Sequence, residues 1–121
     1  MTILPVTVDD APVLLHLAEK WGQRTFQWSA GSAGIVVRDS EGIAGFALLH
    51  DRPYGCIVEE LWVEQNRRGL RATGAIIEWV EEQERHAGHQ VGGIVAEDSP
   101  LYAVLRDRGY EVTHHVLAKA V

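Results

Sequence analysis

From Glu64 to Arg71 the chain reads Glu-Gln-Asn-Arg-Arg-Gly-Leu-Arg, which sets three guanidinium groups beside one glycine. Guanidinium forks match phosphate oxygens two at a time, and a glycine lets backbone amides approach an anion closely. An apolar run from Ile57 to Val63 precedes this segment and a long amphipathic stretch follows it. The basic segment is therefore an elbow between a buried strand and a helix, where the first helical amides lack intrahelical acceptors and attract anions. Phosphate binding is the chemistry such an elbow offers; a solvated basic turn is the other reading.

Other reactive side chains point to less. His86 and His89 have a helical spacing suited to a metal, and His114 and His115 are adjacent. Neither pair has a carboxylate beside it on the same face, and neighbouring residues of a strand point to opposite faces, so no metal site is expected. Cys56 stands alone, which excludes an intramolecular disulfide or a Cys-rich metal site. Ser99-Pro100 has the character of a helix cap, with no base to activate the hydroxyl. Trp21, Trp28, Trp62 and Trp79 suit a core better than a base-stacking surface.

The elements that must position the elbow follow from periodicity. Thr2 to Val8 reads as a strand, with Asp9 or Asp10 capping a helix that has Pro12 in its first turn. That helix carries Val13, Leu14, Leu17, Ala18 and Trp21 on one side and stops at Gly22. Gln23 to Gly34 lacks a period and reads as loop. Ile35 to Arg38 and Ile43 to His50 form a hairpin over Asp39-Ser40-Glu41-Gly42, with the glycine supplying a positive φ. After a break at Asp51 to Gly55, Cys56 to Val63 completes an antiparallel meander. The helix after the elbow buries Ala72, Ala75, Ile76, Trp79, Val80, Gln83 and Ala87, with Glu78, Glu81, Glu82 and Arg85 outward. Val91 to Ala96 then returns as a parallel strand through a right-handed crossover. Ser99 caps a short helix ending at Gly109, and Tyr110 to Lys119 closes the chain as a strand. The expected architecture is one domain over residues 1–121, a three-layer α/β/α sandwich around a mixed, mostly antiparallel sheet.

Composition narrows the setting. A 46% apolar, 23% charged chain is an ordinary globular composition, and a net charge of -6 is a poor general match for nucleic acid or an anionic membrane surface. No stretch approaches the length needed to span a bilayer, and Asp9 and Asp10 interrupt the opening apolar run before it could serve as a signal peptide. A reducing, cytoplasmic compartment is expected.

This order of elements, together with the elbow, resembles the GNAT superfamily of N-acetyltransferases over nearly the whole chain. Leu4-Pro5-Val6-Thr7-Val8-Asp9-Asp10 looks like that family's first strand and helix start. Leu61 to Gly69 resembles its fourth strand and acetyl-CoA pyrophosphate loop, and Leu105-Arg106-Asp107-Arg108-Gly109-Tyr110 its closing turn. The resemblance implies acetyl-CoA as cosubstrate, lying where strands four and five splay apart. The backbone of Leu61, Trp62 and Val63 would then bond the pantetheine arm, and Arg67, Arg68, Gly69, Leu70, Arg71, Ala72 and Thr73 would wrap the pyrophosphate. The family's loop signature is Gln or Arg, two residues, Gly, one residue, then Gly or Ala. Here Asn66, Gly69 and Arg71 stand at those positions, so only the middle one conforms.

The reaction the resemblance implies is transfer of an acetyl group to a primary amine by direct attack in a ternary complex. Such attack needs a base for the amine proton and an acid for the leaving thiolate. Glu59, expected on the same face as Leu61 and Val63 with Glu60 opposite, is the candidate base, directly or through water; its other reading is a salt-bridge partner. The family's usual acid, a tyrosine, is replaced by Leu105. Tyr102, one turn earlier, is the candidate acid or else a core aromatic. Asp98 stands where relatives often carry an asparagine that contacts pantetheine. A polyamine, an aminoglycoside or a protein Lys or N-terminal amine would suit the acidic balance. The short C-terminus leaves an edge strand through which two copies would pair as a homodimer. The competing reading is a GNAT-like binding or assembly module that has lost catalysis.

Overall fold

In a computed structural model, residues 1–21, 28, 31–53, 55–93 and 100–112 are described. The elements are β1 (Thr2–Val6), a 3-10 turn (Val8–Asp10), α1 (Ala11–Lys20), β2 (Ser32–Asp39), β3 (Gly42–Arg52), β4 (Gly55–Val63), α2 (Arg67–Arg85), β5 (Gln90–Gly93) and α3 (Pro100–Asp107). The strands pair in chain order, antiparallel from β1 to β4 and parallel between β4 and β5. The expected mixed, mostly antiparallel sheet is therefore present. The expected closing strand, the proposed dimer edge, His114, His115, Asp98, Ser99 and the end of the Val91 to Ala96 strand lie outside the described residues.

Local chemistry explains the connections. The Asp10 carboxylate accepts from the Thr7 amide at 2.9 Å, so the chain turns once before α1 rather than entering it from a single aspartate cap. At the β2–β3 hairpin Asp39 pairs with Gly42, and Gly42 takes φ +109°, as the sequence predicts. Arg108 of the closing turn donates to Glu81 of α2 at 2.6 Å, fastening α3 beside that helix.

Each face of the sheet is covered by hydrocarbon. Under α2, Ala72, Ile76 and Val80 pack on Ile35, Val37, Ala44, Ala47, Leu49 and Cys56. Under α1, Leu14 and Ala18 pack on Val36, Phe46 and Trp62. Phe46 stacks on Trp62 with ring centroids 5.0 Å apart and 11° between planes. Each large aliphatic or aromatic side chain fully withdrawn from water contributes roughly 1.5–3 kcal/mol. The tryptophans serve these two layers, three on the α1 side and Trp79 on the α2 side.

One irregularity changes the chemistry of the sheet. Leu48 of β3 pairs with Glu60, but Leu49 pairs with Val58, so Glu59 is an extra residue in β4. The bulge lets Cys56 and Val58 before it, and Leu61 and Val63 after it, all reach the α2 side. Strict alternation predicts Glu59 on that side and Glu60 opposite. Instead Glu59 meets Ser32 and His50, and Glu60 shares the parity of Trp62 beneath α1, so both acids lie on the α1 face.

Candidate functional site

The bulge lies one residue beyond Val58 on β4. β5 pairs with β4 from Gly55 to Val58, and the last described pair joins Val58 to Gly93. Glu59 is the next residue, and β4 runs on to Val63. The Ser32 hydroxyl donates to Glu59 Oε2 at 2.7 Å, while Glu59 Oε1 lies 3.1 Å from His50 Nδ1. The Glu59 and His50 side chains are 27% and 26% exposed, so the pair is reachable from solvent without being swamped by it. Burial first, and then the neighbouring Glu59 charge, raise the pKa of Glu60.

The elbow is built differently from expectation. Asn66 is the N-cap, its Oδ1 accepting from the Gly69 amide at 3.1 Å, and residues from Arg67 onward are already helical. The Leu70 amide bonds the Asn66 carbonyl at 3.1 Å. The segment Arg67 to Thr73 is thus the start of α2 rather than a loop able to wrap an anion. By helix geometry the amides of Arg67 and Arg68 remain for an outside acceptor. Ala72 is buried in the core, and the Thr73 hydroxyl donates to the Gly69 carbonyl at 3.0 Å, so both face inward. Gly69 serves packing: a Cβ there would overlap the Glu64 carbonyl oxygen and lie 2.6 Å from its carbon.

The expectation that the Arg68 side chain holds phosphate is corrected by its partners. Arg68 is 9% exposed. Its Nε and Nη2 grip both oxygens of Asp39 at 2.7 Å, Nη2 also donates to the Gly42 carbonyl at 2.8 Å, and Nη1 meets Glu64 at 2.8 Å. Arg68 therefore staples the start of α2 to the β2–β3 hairpin. Its hydrogen bonds hold the Asp39 carboxyl down at about 2. Arg67, Leu70 and Arg71 are exposed, and among the described residues neither Arg67 nor Arg71 has an ion pair. Arg71 does not plug the sheet.

Between β4, β5, α2 and α3 lies an apolar slot lined by Val58, Leu61, Ile77, Val91, Leu105 and Tyr110, among others. Its volume is about 10 Å³, the space of a single water. Tyr102 is half-buried on α3 and is not among the lining residues, which come from that region as Leu101, Leu105 and Tyr110. The Tyr110 hydroxyl is buried without a hydrogen-bond partner among the described residues, and burial, with Glu81 nearby, pushes it up to about 12.

Neither protein-family models nor curated protein sequences give a match to this chain. Solved structures do. A ribosomal-protein-alanine N-acetyltransferase from Brucella melitensis biovar Abortus 2308 superposes with a TM-score of 0.75 at 14% identity, covering 99% of this chain and 98% of that one. The fold is the GNAT fold. An aminoglycoside 6'-N-acetyltransferase from Acinetobacter haemolyticus gives 0.68 at 15% identity, with 100% and 98% covered. A GNAT family acetyltransferase from Streptococcus pneumoniae TIGR4 gives 0.64 at 18%, with 98% and 97% covered.

Sequence reasoning missed His50 and Ser32 within this GNAT fold. Ser32 falls in the stretch that reads as loop, although it pairs with His50 in the sheet. The parity of His50 with Phe46 and Leu48 was the available signal. Also unforeseen is the approach of Asp51, Cys56 and Glu84, whose ligand atoms lie within 4.8 Å of one another. Burial and those two carboxylates push the Cys56 thiol up to about 11, which makes it a poor nucleophile. The two helical-spaced histidines contact carboxylates instead: His86 lies 3.2 Å from Glu82 and His89 2.8 Å from Glu84.

Proposed function

We propose that this chain is an acetyl-CoA-dependent N-acetyltransferase acting on a primary amine by direct attack in a ternary complex. The observation that supports this most is a coincidence at one point of the sheet. There β4 bulges and a carboxylate contacts an imidazole. The exposed guanidinium groups of Arg67 and Arg71, beside the positive end of α2, are suited to the diphosphate of the cosubstrate. Pantetheine would run along the backbone of Leu61, Trp62 and Val63, and the amine would approach from the α1 face, toward Glu59. Since a free thiol has a pKa of about 8.5, coenzyme A leaves as thiolate without a dedicated acid.

No membrane-spanning helix is present among the described residues. A cationic acceptor (a polyamine, an aminoglycoside, or a Lys or N-terminal amine of a protein) fits the paired acids of β4, in a cytoplasmic homodimer.

Calorimetric titration with coenzyme A and acetyl-CoA tests the reading. Micromolar binding that weakens about tenfold in the Arg67→Ala/Arg71→Ala double variant supports it, a loss of about 1.4 kcal/mol. No heat at millimolar ligand refutes it. A second reading, a module that holds coenzyme A without turnover, is favoured by the capped Gly69 amide and the narrow slot beside Leu105. Tight binding with no thiol release across an amine panel would select it.

A further inference from the structure

The hydrogen-bond chain on the α1 face has a direction. Ser32 Oγ–H donates to Glu59 Oε2 at 2.7 Å, which occupies one carboxylate oxygen and turns the other toward His50 Nδ1 at 3.1 Å. A carboxylate only accepts, so Nδ1 must carry the proton, and the opposite ring nitrogen, Nε2, is left with its lone pair free. Among the described residues Nε2 has no hydrogen-bond partner. It lies next to Gly31, where even an added Cβ would stay 3.8 Å away, and the side chain is 26% exposed. An imidazole oriented by a carboxylate, with its second nitrogen unpaired among the described residues, is the arrangement by which a base is made ready in nucleophilic catalysis.

We infer that His50 Nε2 is the atom that takes the proton from the acceptor amine, and that Glu59, fixed by Ser32, is the positioning residue that sets the ring's tautomer. This deepens the acetyltransfer reading and rests on it. In the reaction an ammonium R–NH3+ gives one proton to Nε2, forming the imidazolium that the Glu59 carboxylate stabilises. The neutral amine forms the C–N bond to the thioester carbon, the C–S bond breaks, and the thiolate of coenzyme A departs. The second nitrogen proton passes to that thiolate, giving coenzyme A and the N-acetyl product, while His50 returns its proton to water. The β4 charges facing the ring are Glu59 and, on the same face, Glu60; β2 contributes the neutral Ser32 hydroxyl. Asp51 and Glu84 sit beside Cys56 on the α2 face and take no part.

Two readouts on the full chain test this. The first is the imidazole tautomer of His50 by nitrogen-resolved NMR of the protein without ligand. The expected result is Nδ1–H in the unaltered protein and loss of that preference in Glu59→Gln and, to a smaller degree, Ser32→Ala. An Nε2–H tautomer in the unaltered protein overturns the inference whatever the activity. The second is thiol release from acetyl-CoA with spermidine, kanamycin and a Lys-containing peptide as acceptors. His50→Gln is expected to lower kcat by about 100-fold and to abolish the acidic limb of its pH profile. Glu59→Gln is expected to keep that limb while lowering kcat, with the KM for acetyl-CoA unchanged in both. If Glu59→Gln removes the limb and His50→Gln keeps both limb and rate, Glu59 itself is the base and the inference fails while acetyltransfer stands. If the unaltered protein binds neither coenzyme A nor acetyl-CoA, the acetyltransfer reading fails and the inference falls with it.

Discussion

Two glycines of α2 make opposite predictions from the same substitution. Ala is favoured over Gly inside a helix by about 1 kcal/mol, so Gly→Ala should stabilise wherever there is room. Gly74 has room: nothing lies within 4 Å of an added Cβ. Gly69 does not, because its Cβ would overlap the Glu64 carbonyl and come within 3.1 Å of the Glu64 nitrogen. Backbone cannot rotate aside as a side chain can, so the overlap belongs at the upper end of overpacking penalties, about 3 kcal/mol. Moving the helix start also breaks the Asn66 cap, another ~1 kcal/mol. Against the ~1 kcal/mol propensity gain, Gly69→Ala should be net destabilising by about 3 kcal/mol. With a urea m-value of about 1.5 kcal/mol/M, the midpoint falls by about 2 M in Gly69→Ala and rises by roughly 0.7 M in Gly74→Ala. Urea unfolding of the two variants, followed by far-UV circular dichroism at equal m, measures both. A Gly69→Ala midpoint at or above that of the unaltered protein would refute the claim that this glycine exists to let the strand end cross the helix.

Other expected outcomes follow from single contacts. Tyr110→Phe removes a buried hydroxyl that has no partner among the described residues and should stabilise by about 1 kcal/mol, read in the same urea assay. Arg68→Met should lower the unfolding midpoint and leave coenzyme A affinity within about twofold, because that guanidinium is engaged by Asp39, Gly42 and Glu64; a tenfold affinity loss by calorimetry would return Arg68 to the phosphate site. The Asp39 carboxyl is depressed by Arg68 from 3.8 to about 2, so its contribution to stability is full above pH 4 and fades as pH falls toward 2. Asp39→Asn should therefore narrow the gap to the unaltered protein as an acid titration proceeds. Glu60, whose pKa burial raises, disfavours the folded state once ionised, so Glu60→Gln should raise the midpoint at pH 7 and lose that advantage in acid.

Where residue type alone decides the outcome, the sequence was readable. The Ala72, Ile76 and Val80 stripe of α2 and the glycine of the Asp39–Gly42 hairpin depend on local chemistry and emerge as expected, whereas Gln83 and Ala87, expected on that stripe, are exposed and Thr73 and Ile77 are buried in their place. Two misreadings share a cause, namely that the deciding partner is remote in sequence. Arg68 reads as a phosphate ligand until Asp39, far along the chain, is brought to it by the hairpin. Glu59 reads as lying on the α2 face until pairing with β3 reveals one residue too many. Asn66 is the exception, since an asparagine at a helix start is a local cap signal and its partner, the Gly69 amide, lies only three residues on.

The odd residue in β4 makes the acidic side of this molecule a matter of counting rather than of composition. Excising either Glu59 or Glu60 would restore plain alternation, keep Val58 and Leu61 toward the oily layer that Ile76 and Val80 occupy, and leave one carboxylate where there were two. An engineer wishing to transplant the Ser32–Glu59–His50 arrangement into another sheet must therefore copy the length of the strand before copying its letters.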